Sequence, residues 1–143
     1  ADTTEDQFSQ EYMAEFRKMA GLVYKDFDRK IHVVDGDKLP DLDTATHILG
    51  IDFGFTNPTA AVFIAIDYDQ NWWIYDEVYK SGMTTEQTHK VLTNKMGKRF
   101  FTSKIGDSAA VQEIANLNTL PYSMGIESVK KGAPLAKVVE VKA

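Results

Sequence analysis

Between residues 46 and 79 the chain carries three strand-like segments joined by two short turns, and this feature restricts the possible folds more than any other. The segments are rich in Val, Ile and aromatic residues and cover residues 46–53, 59–68 and 72–79. The turns contain Asn57-Pro58 and the polar run 69–71. Connections this short join antiparallel strands, because a parallel pair needs a crossover of about a dozen or more residues. We therefore predict a three-stranded antiparallel meander.

After residue 80 the pattern alternates between helix and strand. Thr84 and Gln87 have the spacing of a capping box at the start of a helix over residues 84–96. The segments that follow are a strand at 100–105, a helix at 108–117 and a strand at 122–129. The order β-β-β-α-β-α-β predicts an α/β fold, a mixed five-stranded sheet in which three antiparallel strands precede α-β units and helices flank both faces. This is the order of the ribonuclease-H-like architecture, which by itself is only an analogy for function.

A domain boundary is predicted near residue 45. Phe8, Tyr12 and Phe16 recur on one face of a predicted helix over residues 4–19. The polar, acid-rich stretch 35–43 is typical of a linker. The predicted parts are an N-terminal helix and linker segment at 1–45 and an α/β domain at 46–143.

Composition and charge exclude several classes of protein. The 143 residues are 43% hydrophobic, which supports a sizeable core, and they include no cysteine, which excludes disulfides and thiolate zinc sites. No apolar run approaches the roughly 18 residues of a membrane helix, and the acidic start is unlike a signal peptide, so we expect an intracellular protein. Residues 1–79 hold 6 basic and 16 acidic side chains, whereas residues 80–143 hold 10 and 5. This asymmetry fits a metal-dependent enzyme acting on a polyanion, and equally fits ordinary surface scatter.

Asp52 is the strongest candidate for chemistry. It lies in an apolar, glycine-containing segment that predicts a central strand buried on both faces. A carboxylate buried there is costly unless it is paired or binds a metal. Gly50 and Gly54 lie two residues to either side and are predicted to leave space beside it. The alternative is a carboxylate that caps the turn after the strand.

Asp107 is the second candidate, because it directly follows the fourth predicted strand. Ligands of α/β sheets usually bind at the carboxyl ends of strands. The alternative is that Asp107 caps the next helix. If the first and fourth strands are neighbours, Asp52 and Asp107 face each other, and two carboxylates favour Mg²⁺ or Mn²⁺. A cation would also offset their mutual repulsion.

Basic side chains in the second half of the chain are candidates for phosphate contacts. Such contacts dominate affinity for nucleic acid and make it depend on salt. No base-reading helix is evident, so action on nucleic acid is predicted to be largely independent of base sequence. The candidates are Lys80, Lys95, Lys98, Arg99, Lys104, Lys130 and Lys131. Of the adjacent Trp72 and Trp73, alternation predicts one in the core and one exposed.

Four segments resemble the nuclease domain of tailed-bacteriophage terminase large subunits. Residues 50–61, which read Gly-Ile-Asp-Phe-Gly-Phe-Thr-Asn-Pro-Thr-Ala-Ala, are similar to its first strand. Its later motifs are similar to residues 75–79, 106–109 and 128–132. The spacing of Asp52 and Asp107 also agrees, and the resemblance covers roughly residues 5–132.

The resemblance implies a metal-dependent endonuclease of ribonuclease-H-like fold that cuts concatemeric viral DNA during genome packaging. It implies a two-metal site with Asp52 and Asp107 as catalytic and metal-binding residues, and Mg²⁺ or Mn²⁺ as cofactor. The implied partners are double-stranded DNA and, in the full-length protein, an ATPase domain, the portal and the small terminase subunit, in the host cytoplasm and away from membranes. The sequence has no P-loop and no match to the family's third acid. We therefore expect a nuclease part that lacks its C-terminal portion and has weak activity alone.

Two other functions fit the same residues. Actin/Hsp70-like ATP-binding phosphotransferases open with a similar hairpin, in which residues such as 55–58 would cradle ATP phosphates, although that architecture is longer. A non-catalytic DNA-binding or assembly module of the same fold is the other alternative. It would need no divalent ion, so metal dependence separates it from a nuclease. Holliday-junction resolvases share the fold and differ in substrate.

Overall fold

The computed structural model describes residues 26–130. The predicted helix over residues 4–19 lies outside the described residues, as does Lys131. In chain order the elements are α1 (Arg29–His32), a 3-10 turn (Gly36–Lys38), β1 (Thr46–Asp52), β2 (Thr59–Ile66), β3 (Trp72–Lys80), α2 (Thr85–Met96), β4 (Phe101–Asp107), α3 (Val111–Asn118) and β5 (Glu127–Val129). Over the described range no helix is both long and apolar enough to span a bilayer.

The five strands form one mixed sheet in the order β3-β2-β1-β4-β5. The pairs β1–β2 and β2–β3 are antiparallel, as the short turns predicted. The pairs β1–β4 and β4–β5 are parallel, with a helix in the β4–β5 connection. The predicted mixed five-stranded fold is therefore confirmed, and β1 lies at the centre of the sheet.

The last helix and strand are shorter than predicted. Helix α3 begins at Val111 rather than 108, because β4 continues to Asp107 and the next residues form a turn. Strand β5 begins at Glu127 rather than 122. The side-chain amide of Asn118 accepts a hydrogen bond from the Ile126 backbone N–H at 2.6 Å and donates to the Ile126 carbonyl at 2.8 Å. This backbone is therefore satisfied by a side chain instead of a neighbouring strand.

The hydrophobic core lies between one face of the sheet and helices α2 and α3. Leu49 of β1, Phe63 of β2, Leu92 of α2 and Leu117 of α3 are fully buried in it. The predicted capping box starts α2, with the Thr84 hydroxyl accepting from the N–H of N3. Both of these helices pack on the same face, so for the described part of the chain the expectation of helices on both faces is corrected.

The opposite face of the sheet, called here the second face, carries Ile48, Gly50 and Asp52 of β1 and their partners on the neighbouring strands. Ile48 pairs with Ile64, which in turn pairs with Ile74. Ile74 is 69% exposed. The strands therefore alternate between core and solvent over the described residues, as strands covered on one side do.

The β2–β3 turn is held by Asp67, which accepts hydrogen bonds from the Trp73 indole N–H at 2.8 Å and the Asn71 amide at 3.0 Å. Trp72 is 66% exposed, as predicted for one member of the pair. Trp73 is only half-buried, so it does not lie in the core as predicted for the other member. The Trp73 hydrogen bond is the largest cause that lowers the pKa of Asp67 below 3.8.

Trp73→Phe is expected to raise the pKa of Asp67 towards 3.8, because it removes the indole donor. A carboxyl whose pKa is lower in the folded state than in the unfolded state stabilises the fold at pH values above its unfolded-state pKa. This contribution is lost as the pH falls through the folded-state pKa. The variant should therefore lose less stability in acid than the parent. NMR titration of the Asp67 carboxyl checks the shift. Trp72→Phe is the matched control, and an equal shift in both variants would contradict the assignment.

Candidate functional site

Asp52 is the last residue of β1 and is exposed, so the prediction that it is buried is wrong. The burial of β1 alternates, with His47, Leu49 and Ile51 towards the core and Asp52 on the second face. Apolar and glycine residues on both faces suggested a fully covered strand, but the described residues cover only one of them. Asp52 is therefore exposed at the end of its strand and is not enclosed within the sheet.

Asp107 is the last residue of β4 and lies beside Asp52, as predicted. Ile51 of β1 pairs with Gly106 of β4 in parallel register, so the next residue on each strand is the aspartate. Both side chains belong to the second face, because side chains alternate along each strand. The structure thus brings the two predicted carboxylates together at the carboxyl ends of adjacent parallel strands.

The alternative role of Asp107 as the helix cap is wrong. The N-cap of α3 is Ala110, which has no side-chain cap. The Asp107 carboxylate instead accepts a hydrogen bond from the Ala109 N–H at 3.2 Å, and the Ala110 N–H donates to the Asp107 carbonyl at 3.0 Å. These bonds form the turn between β4 and α3 and restrict where the Asp107 carboxylate can point.

The loop after Asp52 is fixed by its own hydrogen bonds. The Thr59 hydroxyl donates to the Gly54 carbonyl at 2.7 Å and accepts from the Gly54 N–H at 3.2 Å. A Cβ at Gly54 would lie 2.4 Å from the Asn57 carbonyl oxygen, so only glycine fits this turn. Gly54 therefore permits the tight loop. The prediction that it leaves space beside the Asp52 carboxylate is wrong.

Glu77 and Glu127 share the second face with the two aspartates, and Glu127 is not among the residues predicted from the sequence. Glu77 pairs with Val62, and Glu127 pairs with Ile105, which lies two residues before Asp107 in β4. Glu127 is identified only by the pairing of β5 with β4, and a single sequence does not specify that pairing. These acids add negative charge around Asp52 and Asp107.

Two carboxylates on adjacent strands provide hard oxygen donors of the kind that Mg²⁺ and Mn²⁺ prefer. Over residues 26–130, no group of three or more His, Cys, Asp or Glu side chains is placed to hold a metal ion. Within the described residues, the arrangement therefore brings together two carboxylates, Asp52 and Asp107.

The predicted phosphate-contacting cations separate into two groups. Lys80 of β3 pairs with Thr59 of β2, and the next residue of β2, Ala60, pairs with Asp52 of β1. Lys130 directly follows the last residue of β5. These two lie at the same end of the sheet as the carboxylates. The others lie elsewhere. Lys104 pairs with Leu49 in mid-strand, and Lys95, Lys98 and Arg99 lie near the start of β4, about 20 Å away at roughly 3.3 Å per residue of strand.

Two of the distant cations make contacts within the protein. The Lys95 ammonium binds the Asp76 carboxylate. Arg99 lies 3.8 Å from the Asp43 carboxylate and 5.4 Å from the centre of the Tyr75 ring. Burial raises the pKa of the Tyr75 hydroxyl, and the charge of Arg99 opposes that shift. These two side chains therefore fasten α2 and the 35–43 segment to β3.

Strand order, parallel register and two acids at the carboxyl ends of the central strands together define an α/β domain of the ribonuclease-H-like class. No protein-family model matches the chain. In sequence it is 30% identical over 114 residues to the terminase large subunit of Escherichia phage T5. That match covers 76% of this chain and 26% of the relative, so the chain spans about a quarter of the relative's length.

Solved structures of large terminases have the same fold. The large terminase of the thermophilic bacteriophage D6E aligns with a TM-score of 0.68 at 22% identity, over 85% of this chain and 31% of that one. The P22 large terminase nuclease domain aligns with a TM-score of 0.57 at 13% identity, over 86% of this chain and 67% of that one. The resemblance to terminase large subunits is therefore confirmed in sequence, and the fold is that of the P22 nuclease domain.

Proposed function

We propose that this chain is the nuclease part of a terminase large subunit, a metal-dependent endonuclease that cuts concatemeric viral DNA during packaging. The observation that supports this most is the parallel register of Ile51 with Gly106, after which Asp52 and Asp107 lie side by side on one face. The proposed setting is the host cytoplasm. The proposed partners are double-stranded DNA and, in the full-length protein, an ATPase domain, the portal and the small terminase subunit.

Mg²⁺ or Mn²⁺ is the proposed cofactor, held by the carboxylates of Asp52 and Asp107. A divalent cation at such a site supplies the charge that activates a water molecule and stabilises the leaving 3′ oxygen. Asp52 ends the central strand, which is paired on both sides and gives its carboxylate a fixed position. Asp107 lies before a turn that its own side chain stabilises. The two residues thus present oxygen ligands from backbones that do not need to move.

The test is conversion of supercoiled plasmid to nicked and linear forms by the purified chain with Mn²⁺, Mg²⁺ or chelator. We expect weak cleavage with Mn²⁺ and weaker cleavage with Mg²⁺, because Mg²⁺ demands near-ideal octahedral geometry. Cleavage that persists in chelator would contradict the proposal. DNA binding without any metal-dependent cleavage, in this chain and in a longer one that supplies a third acid, would favour the non-catalytic module. ATP binding would favour the phosphotransferase alternative.

DNA phosphates are proposed to contact the cations at the acid end of the sheet, Lys80 and Lys130, more than those at the other end. Lys80→Gln is expected to weaken duplex binding and to reduce the slope of log affinity against log salt by about 1. Fluorescence anisotropy at several salt concentrations measures both. Lys98→Gln, the same change at an exposed lysine of the opposite end, should have a smaller effect. A larger effect of Lys98→Gln than of Lys80→Gln would contradict the proposal that DNA binds at the acid end of the sheet.

A further inference from the structure

The second face of the sheet changes from acidic to apolar along its length. Asp52, Asp107 and Glu127 lie at or near the carboxyl ends of β1 and β4. Towards the other end of the sheet, Trp72 is 66% exposed and Ile74 is 69% exposed. In the five described strands, the register places no Lys or Arg on this face. The second face therefore combines a negatively charged region with an apolar one.

The apolar region, called here the apolar patch, extends over three neighbouring strands. Ile48, Ile64 and Ile74 form one row of paired residues across β1, β2 and β3, and Ile66 pairs with Trp72 in another row. Side chains directly opposite each other on one face of paired strands lie about 5 Å apart, so these residues are continuous. Continuous exposed apolar patches are typical of surfaces that bind another polypeptide segment.

Residues 131–143, called here the basic segment, have a composition that matches this change along the second face. The segment contains three lysines and one glutamate, which gives it a net charge of +2. Its first residue is Lys131, which follows another lysine, whereas Val138, Val139 and Val141 come near its end. Positive charge therefore precedes apolar side chains, in the same order in which the second face turns from acidic to apolar.

The basic segment begins beside the acids and is long enough to reach the apolar patch. Val129, the last residue of β5, pairs with Asp107, and its carbonyl accepts a hydrogen bond from the Ser108 N–H at 3.0 Å. Ile74 lies four strand spacings from β5 and four residues back along the sheet, about 23 Å away at roughly 4.8 Å per strand and 3.3 Å per residue. An extended chain spans that distance in about seven residues. Because residues 138–141 come later than that after Val129, they can reach Ile74.

We propose that the basic segment crosses the second face, with Lys131 near the acids and residues 138–141 packed on Ile74 and Trp72. Attraction between opposite charges directs the start of the path, and removal of apolar surface from water stabilises its far end. The contact requires neither a metal ion nor DNA. It therefore stands or falls independently of the proposed nuclease function.

The test uses introduced cysteine pairs, because the chain contains no cysteine of its own. Ile74→Cys is combined in turn with Val138→Cys, Val139→Cys and Val141→Cys, and the controls combine the same three changes with Asn94→Cys. Asn94 is exposed on α2, on the other side of the sheet. A segment that is only tethered would meet both positions at similar, roughly millimolar, effective concentrations. At least one Ile74 pair should form an intramolecular disulfide at least about tenfold faster than its Asn94 control, since docking raises that concentration.

A second measurement uses the full chain without introduced cysteines. Val139→Asp places a charge against the apolar patch and should release the segment, because a buried unpaired carboxylate is costly. Quenching of tryptophan fluorescence by acrylamide should then rise, since Trp72 becomes more accessible. Ala143→Asp adds the same charge beyond the valines and should leave quenching as in the parent. Equal quenching in the parent and in Val139→Asp would overturn the proposal.

Other results of the cysteine experiment would also overturn it. Equal rates for the Ile74 and Asn94 pairs would mean that the segment is not docked on the second face. A disulfide between two chains that carry Ile74→Cys alone would show that a second copy covers the patch. A faster bond from Ile74→Cys to Tyr12→Cys than to any of the three valine positions would show that residues 1–25 cover it. Plasmid cleavage by the parent chain tests the nuclease proposal separately in every case.

Discussion

Asp52→Asn is expected to lower Mn²⁺-dependent plasmid cleavage by more than about a hundredfold. Loss of groups that only orient metal ligands costs roughly 10- to 100-fold, and a proposed direct ligand should cost more. Asparagine keeps the shape of the side chain and removes the charge that attracts the cation. Mn²⁺ titration followed by electron paramagnetic resonance should show weaker binding in the variant, which gives a readout that does not depend on cleavage.

The control for this prediction is Asp69→Asn, which makes the same change at an exposed aspartate in the β2–β3 turn, at the other end of the sheet. It should cleave as the parent does. Because Asp52 is exposed, its replacement should change the free energy of unfolding by no more than about 0.5 kcal/mol, and a gain in stability from removing a buried charge is not expected. Cleavage retained by Asp52→Asn would remove this residue from the proposed mechanism.

Phe63→Ala is expected to lower the free energy of unfolding by about 3–5 kcal/mol. Phe63 is fully buried between the sheet and the helices, so truncation leaves a cavity in the centre of the core. Total stabilities of domains are only about 5–15 kcal/mol, so the variant should be close to unfolding at 37 °C. Urea denaturation monitored by tryptophan fluorescence measures the change.

Val62→Ala is the control for Phe63→Ala because Val62 precedes it in β2 and lies on the second face. Val62 is 37% exposed, so its truncation should cost less than about 1 kcal/mol. The large difference between neighbours follows from alternation along a strand covered on one side. Similar losses for both variants would mean that the second face is buried in solution as deeply as the first.

Local sequence signals determined most of the elements of this protein. The turns near residues 55–58 and 69–71 and the capping box at Thr84 are set by neighbouring residues, so their predictions agree with the structure. The order of these elements also restricted the sheet to the mixed arrangement that is observed. The predicted boundaries were wrong where a contact between distant residues decided them. For example, the Asn118 side chain forms hydrogen bonds with the backbone of Ile126, and β5 begins only after that residue.

The sequence by itself placed Asp52 near the end of one predicted strand and Asp107 just after another, because the surrounding patterns are local. Only the tertiary structure decided that those strands are parallel neighbours in a register that places both acids on one face. It also decided that Asp52 is exposed and that Lys80 lies at the same end of the sheet as Asp52, whereas Lys98 lies at the other end. Pairing, register and coverage of a face depend on contacts between residues distant in the chain, and no local pattern encodes them.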